Sequence, residues 1–303
     1  MFIRSCRYQI TMIYINSTPK PHEQDLLNQF ADSVGLDVTH SEKYEPCDVA
    51  IIFGSWKKVN KKRTNIEKLS HHVLKNDVVN NHRGKLIIFE TPLLNRKIIQ
   101  EHDSYRVGLN HYMRGLSDFK NKNSSPDKFN SMGIDIKGWR NQGDHVLVIG
   151  QNWNDASLFG ISLELWIINT VRMLLKNTDR KIIVRDHPEN KGLLKNIVDD
   201  KFGYTKQVIY DTNIDIKDSL NNAHCTVSYT SGSSIDSALA GVPVITCSEY
   251  NFLWPISSHS LEDVENPKLG ERDQLFYDLA WTQWSTDDIR KGKPWQHLIG
   301  DSQ

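Results

Sequence analysis

The feature that most constrains the fold of this chain is a series of short apolar segments, each followed by a polar turn and a helical pattern. Val49–Phe53, Lys85–Phe89 and His145–Ile149 are apolar over nearly their whole length. A strand that is apolar on both faces is buried on both faces, as happens in a parallel sheet covered by helices. The sequence therefore predicts an α/β architecture.

The same pattern begins a second time after a polar stretch rich in Asn, Ser and Lys that runs from about residue 115 to 143. This restart predicts two facing Rossmann-like domains. We expect the first domain at 1–141, the second at 142–270, and a C-terminal helical segment at 271–303.

The composition is that of an ordinary soluble chain: 303 residues, 38% hydrophobic, with a mean hydropathy of −0.51. No segment approaches the ~20 apolar residues that cross a bilayer, and the N-terminus lacks a signal-peptide core. The four cysteines lie far apart without a CxxC pair, which fits a reducing compartment. We therefore expect a cytoplasmic protein.

The net charge of zero hides two halves of opposite sign. Residues 1–141 hold 22 Lys and Arg against 15 Asp and Glu, a net charge of +7, and the remaining 15 and 22 give −7. The densest basic run follows the strand 49–53 and comprises Lys57, Lys58, Lys61, Lys62 and Arg63. Such a run is usually a solvated face, but it also suits a polyanion.

The chemistry-bearing residues of the second half lie where strands end, which is where open α/β sheets bind ligands. These candidate ligand-binding residues are Gly150, Gln151, Arg185, His187, Tyr229, Thr230, Ser231, Gly232, Ser233 and Asp236. The Ser/Gly turn at 230–234 opens a helix and offers N–H groups and hydroxyls to an anion, although simple N-capping is the plainer reading. It is neither a P-loop nor a dinucleotide fingerprint, since it lacks GK[ST] and GxGxxG.

Two stretches carry a resemblance to a known family. RDHP at 185–188 and SYTSGSSIDSALAGVPVI at 228–245 resemble the nucleotide-sugar half of GT-B glycosyltransferases and of capsule-type transferases with His-Pro and Ser/Thr-Ser-Gly motifs. The resemblance implies that Asp236, in the place of the commoner Glu, holds the ribose. It also implies that Arg185 and His187 neutralise the departing phosphate. The C-terminal helical segment 271–303 would, by the same resemblance, be a strap that packs back on the first domain.

Metal-chelating glycosyltransferases generally carry a D-x-D triplet, and this sequence has none. The resemblance therefore implies a metal-independent enzyme with no cofactor, whose co-substrate is a nucleotide sugar, expected first as a UDP-linked one.

The C-terminal stretch that includes Glu265–Pro267, Arg272–Gln274 and Leu279–Trp284 resembles reading frames common in tailed phages. Some phage GT-B enzymes place glucose or arabinose on hydroxymethylcytosine in DNA. Because a polyanionic acceptor favours a basic first half, the expected function is sugar transfer to 5-hydroxymethylcytosine in phage DNA, in the host cytoplasm. The alternatives are a capsular or lipopolysaccharide acceptor, a non-enzymatic nucleotide-sugar-binding protein, and an epimerase.

The acceptor half offers candidates for the base that inversion requires. Asp103 and Glu90 rank first, followed by His111 and by Asp155 from the donor half. Candidate acceptor contacts, besides the basic run, are Arg106, Asn110 and Arg114. The late tryptophans Trp281, Trp284 and Trp295 are expected to pack in a core rather than to stack on bases or sugars.

Overall fold

The structure is a computed structural model that describes residues 11–15, 20–34, 37–41, 43–56, 70–97, 101–153, 155–190, 192–213 and 215–300. The strands are β1 Thr11–Ile15, β2 Asp37–Ser41, β3 Val49–Phe53, β4 Lys85–Glu90, β5 Ser104–Leu109, β6 His145–Ile149, β7 Lys181–Arg185, β8 Val208–Tyr210, β9 Ala223–Ser228, β10 Val244–Thr246 and β11 Gln283–Ser285. The α-helices are α1 Pro21–Val34, α2 Ser70–Asn81, α3 Asp127–Asn130, α4 Leu163–Asn177, α5 Leu193–Phe202, α6 Ile216–Leu220, α7 Ser233–Leu239, α8 Asp273–Ala280, α9 Thr286–Arg290 and α10 Lys293–Ile299.

The chain forms two compact units, each built on one sheet. The first comprises residues 1–112, 116–122 and 279–303, and the second comprises 113–115 and 123–278. The predicted division at 141/142 differs from this one. Residues 137–140 belong with the second unit because Lys137 N–H donates to Leu239 O and Arg140 N–H donates to Gly241 O.

The first unit contains a sheet whose described strands run in the order β2-β1-β3-β4-β5-β11. Strands β1 to β4 pair in parallel, whereas β5 is antiparallel to β4 and β11 is antiparallel to β5. The apolar face of α1 supplies Leu27 and Phe30, which pack with Ile87, Phe89 and other side chains of the sheet. This helix-covered parallel sheet is the Rossmann-like arrangement that the sequence predicts.

The second unit contains a parallel sheet in the order β10-β9-β6-β7-β8. Its main core joins the sheet to α4 and α5, with Val148, Ile167, Val171 and Val184 almost inaccessible to solvent. A smaller cluster around Leu147 and Val242 covers the other face. Because all strands point the same way, their carboxyl ends meet at one edge.

The C-terminal segment completes the first sheet. The helical pattern predicted through Trp284 is interrupted, since α8 ends at Ala280 and residues 283–285 form β11. Trp284 and Trp295 lie in the core of the first unit, with Trp281 packed against it, so the packing interpretation of these tryptophans is confirmed. Among the described residues, no helix is long and apolar enough to cross a membrane.

Gln283 ties β11 to the loop that follows β4. Its side chain is buried, and its Oε1 accepts the N–H groups of Leu93 and Leu94 at 3.0 and 2.9 Å. Its Nε2 donates to Leu94 O at 3.1 Å and to Ser104 Oγ at 3.3 Å. One amide therefore pairs main-chain groups that would otherwise be buried without partners.

We expect Gln283→Ala to lower the free energy of unfolding by about 2–4 kcal/mol, because it leaves two buried N–H groups unpaired. Urea unfolding and amide hydrogen exchange of the peptide containing Leu93 and Leu94 would measure the effect. Gln296→Ala, on an exposed position of α10, is the control and should change neither. Unchanged exchange at residues 93–94 in Gln283→Ala would contradict the assignment.

Candidate functional site

The candidate site lies at the carboxyl edge of the second sheet, where β6, β7 and β9 end side by side. The three following loops begin at Gly150, Asp186 and Tyr229. The sequence places polar residues in all three, and the hydrogen bonds described below link the loops.

Gln151 links the loop after β6 to the turn after β9. Gln151 is only 2% exposed to solvent, and its Oε1 accepts the N–H of Thr230 at 3.1 Å. Its Nε2 donates to Thr230 Oγ1 at 3.1 Å and to Ser157 Oγ at 3.0 Å. The amide is thus occupied by protein groups, so Gln151 and Thr230 position the turn rather than present free donors to a ligand.

The turn after β9 is a short loop closed on itself. Ser231 O accepts the N–H of Ser234 at 3.2 Å, and Ser231 Oγ accepts the N–H of Ser233 at 3.3 Å. Gly232 has an ordinary right-handed conformation, with φ −61°. Helix α7 begins at Ser233, and Asp236 lies half-buried in its first turn. The N-cap position itself is Gly232, which has no side chain to cap the helix, and the Ser231 hydroxyl instead accepts the N–H of the first helical residue.

Asn251 supports the same turn and was missed by sequence reasoning. It is buried, its Nδ2 donates to Tyr229 O at 3.0 Å, and its Oδ1 accepts the Ser234 hydroxyl at 3.2 Å. Burial also raises the pKa of the Tyr229 phenol, which a hydrogen bond with Ser248 partly offsets. Asn251 follows β10 by several residues, and nothing in the local sequence pattern marks it.

The His-Pro loop after β7 is organised by Asp186. One carboxylate oxygen accepts the N–H of His187 at 2.8 Å and the amide of Asn190 at 2.7 Å, and the other accepts the N–H of Leu194 at 3.0 Å. Asn190 also donates to Gln151 O at 2.9 Å. Asp186 and Asn190 therefore connect this loop both to α5 and to the loop after β6.

His187 has a defined tautomer when its ring is neutral. Its Nδ1 accepts the N–H of Glu189 at 3.2 Å, so the proton of the neutral ring resides on Nε2. The side chain is half-buried. Nε2 can therefore act as a hydrogen-bond donor toward an anion at this edge.

Arg185 is placed differently from the sequence prediction. Its guanidinium is buried, and Nη1 donates to Asp211 Oδ2 at 2.8 Å, to Ser219 Oγ at 2.8 Å and to Asn213 O at 3.0 Å. Asp211 and Ser219 are buried, so contact of Nη1 with a phosphate would break a buried ion pair. The sequence could not reveal this, because Asp211 is 26 residues away.

Two further residues of this edge have structural roles. A Cβ added to Gly150 would lie 2.6 Å from Leu194 Cδ1 and 2.9 Å from Arg185 O, so glycine is needed there for close packing. Asp155 caps a short 3-10 helix at Ala156–Leu158 by accepting the N–H of Ser157 at 2.9 Å.

In the first unit, Glu90 and Asp103 lie at the same edge of the sheet. Glu90 ends β4 and accepts the N–H groups of Ser55 at 3.0 Å and Thr91 at 2.8 Å. Asp103 immediately precedes the antiparallel β5, and its exposed carboxylate pairs with Lys97 Nζ at 2.6 Å. The order of the strands thus brings the two first-ranked base candidates to one edge.

Arg106 and Asn110, two of the candidate acceptor contacts, lie within β5 and directly after it. Arg106 is a buried residue of β5 that stands opposite Glu90 in the strand pair. Asn110 follows β5 with a left-handed φ of 64°, and its Oδ1 accepts the N–H of Leu86 at 3.2 Å. Tyr105, Val107 and Leu109 alternate with Arg106 and Gly108, a period-two pattern that indicates a strand and that sequence reasoning missed.

His111 lies beyond the other end of β5, with its ring 5.3 Å from that of Trp56 and 4.6 Å from that of Tyr112. Burial, together with the nearby Arg106 charge, lowers the pKa of His111 to about 4. The imidazole is therefore neutral at physiological pH.

The remaining acceptor candidates fall into two groups. Lys57, Lys58, Lys61, Lys62 and Arg63 lie outside the described residues. Arg114 belongs to the second unit, where its Nη1 donates to Glu249 O at 2.7 Å and burial lowers the pKa of its guanidinium.

In the described ranges, no cluster of three His, Cys, Asp or Glu side chains is arranged to hold a metal ion.

No protein-family model and no curated protein sequence matches this chain. Solved structures resemble it in fold. KpsC of Thermosulfurimonas dismutans, described as a beta Kdo 2,7 transferase, has a TM-score of 0.50 and 11% identity, covering 93% of this chain and 98% of its own. A second KpsC structure from that organism, a beta Kdo 2,4 transferase, has a TM-score of 0.54 and 11% identity, covering 92% of each chain.

At an identity this low, the structural similarity establishes the fold and nothing further. Together with the two sheets described above, it confirms the predicted fold class: the chain has two Rossmann-like domains of the GT-B type.

We expect Asp211→Ala to destabilise the protein by about 3–5 kcal/mol, because it leaves the buried Arg185 charge without its partner. The double variant Arg185→Met/Asp211→Leu should lose less stability than Asp211→Ala, since it leaves no uncompensated charge. Urea unfolding of the two variants measures this. Full stability of Asp211→Ala would contradict the buried ion pair.

We expect the ring protons of His111 to titrate near pH 4 in an NMR pH series, with His111→Gln identifying the signal. Because the unfolded chain binds this proton near pH 6.5 and the folded chain does not, lowering the pH from about 6.5 to 4 destabilises the fold. That pH dependence should weaken in His111→Gln. A midpoint between 6 and 7 would contradict the buried placement.

Proposed function

We propose that this protein is a glycosyltransferase that takes a sugar from a nucleotide sugar, with a UDP-linked sugar as the first donor to test. The observation that carries the proposal is the carboxyl edge of the second sheet, where three polar loops are connected through the Gln151 and Asn190 amides. Open α/β sheets bind nucleotides at this kind of edge.

His187 and the turn after β9 are proposed to hold the donor phosphate. His187 Nε2–H is a donor whose orientation is supported by the Nδ1 hydrogen bond. The buried Ser231 and the half-buried Gly232 lead into α7, which begins at the half-buried Ser233. Donors fixed in advance around a leaving phosphate stabilise developing charge without reorganisation, so the proposal requires no metal or cofactor.

Asp236 is proposed to accept hydrogen bonds from ribose hydroxyls, three residues after the start of α7. Arg185 is assigned a different role from the one first expected. Its buried ion pair with Asp211 stabilises the carboxyl edge of the sheet. Its contribution to phosphate binding is therefore indirect.

Glu90 and Asp103 are the proposed alternatives for the base that accepts the acceptor's proton. Both lie at the edge of the first sheet where β4 ends. Asp103 is exposed beside Lys97, and Glu90 is held by two main-chain N–H groups. His111 is a weaker choice because it lies beyond the opposite end of β5, and Asp155 because it caps a 3-10 helix.

For the acceptor, we propose a glycan of the capsular or lipopolysaccharide class. The fold is shared with two Kdo transferases, which favours a saccharide acceptor. The second candidate is 5-hydroxymethylcytosine in phage DNA, which the +7 charge of residues 1–141 favours. Two of the cationic candidates that the structure describes give the DNA acceptor less support, because Arg106 is buried and Arg114 is hydrogen-bonded to Glu249 O.

The test is incubation with UDP-hexoses, UDP-pentoses and a nucleoside-monophosphate-linked acid sugar, with products followed by mass spectrometry. Each donor is offered with a capsular oligosaccharide and, separately, with DNA that contains 5-hydroxymethylcytosine. We expect transfer to one acceptor, and a loss of about 10²–10³-fold in turnover in His187→Ala, the size typical of removing one pre-placed donor.

His259→Ala is the matched control, because His259 is an exposed histidine of the same unit whose Nε2 contacts Trp254 O. Its turnover should match that of the unchanged protein. Tight nucleotide-sugar binding without turnover would indicate a binding protein. Donor consumed without a glycosylated product would indicate hydrolysis or epimerisation.

A further inference from the structure

A groove of about 320 Å³ lies on the second unit, between α4, α5 and the loop after β6. Ligand pockets in proteins begin at about this volume. Leu193 and Ile197 from one face of α5 form its apolar lining, and Trp153 also lines the groove. Trp153 is 37% exposed, so part of its surface is accessible to a bound molecule.

The backbone of Trp153 is anchored to the candidate donor site. Its N–H donates to Asn190 Oδ1 at 2.9 Å, and the Asn190 amide also contacts Gln151 O and Asp186 Oδ1. Asp186 in turn accepts the N–H of Leu194 in the first turn of α5. The groove is thus connected to the His-Pro loop by direct hydrogen bonds.

Polar groups surround the apolar lining. Glu164, Asn196, Asp200 and Lys201 complete the groove, and Lys201 Nζ pairs with Asp200 Oδ2 at 2.7 Å. Among the residues that the structure describes, neither the Glu164 carboxylate nor the Asn196 amide has a hydrogen-bond partner in the protein. The Glu164 carboxylate can accept hydrogen bonds from hydroxyls, and the Asn196 amide can both accept and donate them.

We propose that this groove binds one sugar ring of a saccharide, by stacking of its C–H face on Trp153 and hydrogen bonds from its hydroxyls to Glu164 and Asn196. A ligand that is apolar on one face and rich in hydroxyls at its edge matches this lining. A phosphate chain does not match it, because the two carboxylates outnumber the single lysine. A cationic ligand would have to compete with Lys201 for Asp200.

The assignment of this sugar to the acceptor chain rests on the proposed glycosyltransferase function. The groove would then hold a distal sugar of a long acceptor beside the donor edge. Saccharide binding itself does not depend on turnover, so it is tested separately.

The experiment is ¹⁹F NMR of the full chain labelled with 5-fluorotryptophan, which reports each of its eight tryptophans. Trp153→Phe assigns the Trp153 signal. The probes are maltohexaose and chitohexaose, each raised to its solubility limit, with a DNA dodecamer and tetralysine as comparison ligands. We expect the Trp153 signal to move with at least one oligosaccharide and with neither comparison ligand.

Trp153→Ala should weaken oligosaccharide binding, measured by saturation-transfer NMR on the ligand, by about tenfold through the lost stacking. Tyr204→Ala is the matched control, because Tyr204 is an exposed aromatic residue of the same unit that does not line the groove. It should bind as the unchanged protein does.

Three results would overturn the proposal: no movement of the Trp153 signal with either oligosaccharide, movement with DNA or tetralysine instead, or equal binding by Trp153→Ala. Saccharide binding without any glycosyl transfer would support the groove and count against the proposed function. Glycosyl transfer with an unchanged Trp153 chemical shift would support the proposed function and count against the groove.

Discussion

The amide of Gln151 is the contact on which the candidate donor site most depends. The strands of a parallel sheet are joined by backbone hydrogen bonds, but the loops at their ends are not, so side chains must connect them. Gln151 uses both its oxygen and its nitrogen to bind Thr230, and Asn190 connects the same loop to Asp186. Inside the protein such contacts are strong when complete and costly when broken.

The same constraint explains why several residues that the sequence predicts to contact a ligand instead hold neighbouring loops in place. A polar side chain at a strand end has two available partners, a bound molecule or a neighbouring loop. Gln151, Arg185 and Asp155 all have protein partners. His187, Ser233 and Asp236 are half-buried at the same edge, and contact with a donor is proposed for them.

The first unit shows how distant parts of the chain complete one sheet. The antiparallel pairing of β5 with β4 brings Asp103 to the edge where Glu90 ends its strand. Strand β11, from the C-terminal segment, then pairs with β5 and places the Gln283 amide against Leu93 and Leu94. The edge that carries both base candidates is therefore held by residues from three separate stretches of sequence.

The sequence by itself determined the α/β class, the two Rossmann-like domains and the loops that form the candidate site, because continuous apolar strands and the turns that follow them are local patterns. The return of the C-terminal segment was implied by the resemblance to GT-B glycosyltransferases, whereas its apolar and aromatic spacing indicated only that it packs in a core. Only the tertiary structure decided that Arg185 pairs with Asp211, that Arg106 is a buried strand residue and that Trp153 borders a groove. Those outcomes depend on which side chains meet across loops far apart in the chain, and local sequence patterns carry no record of such contacts.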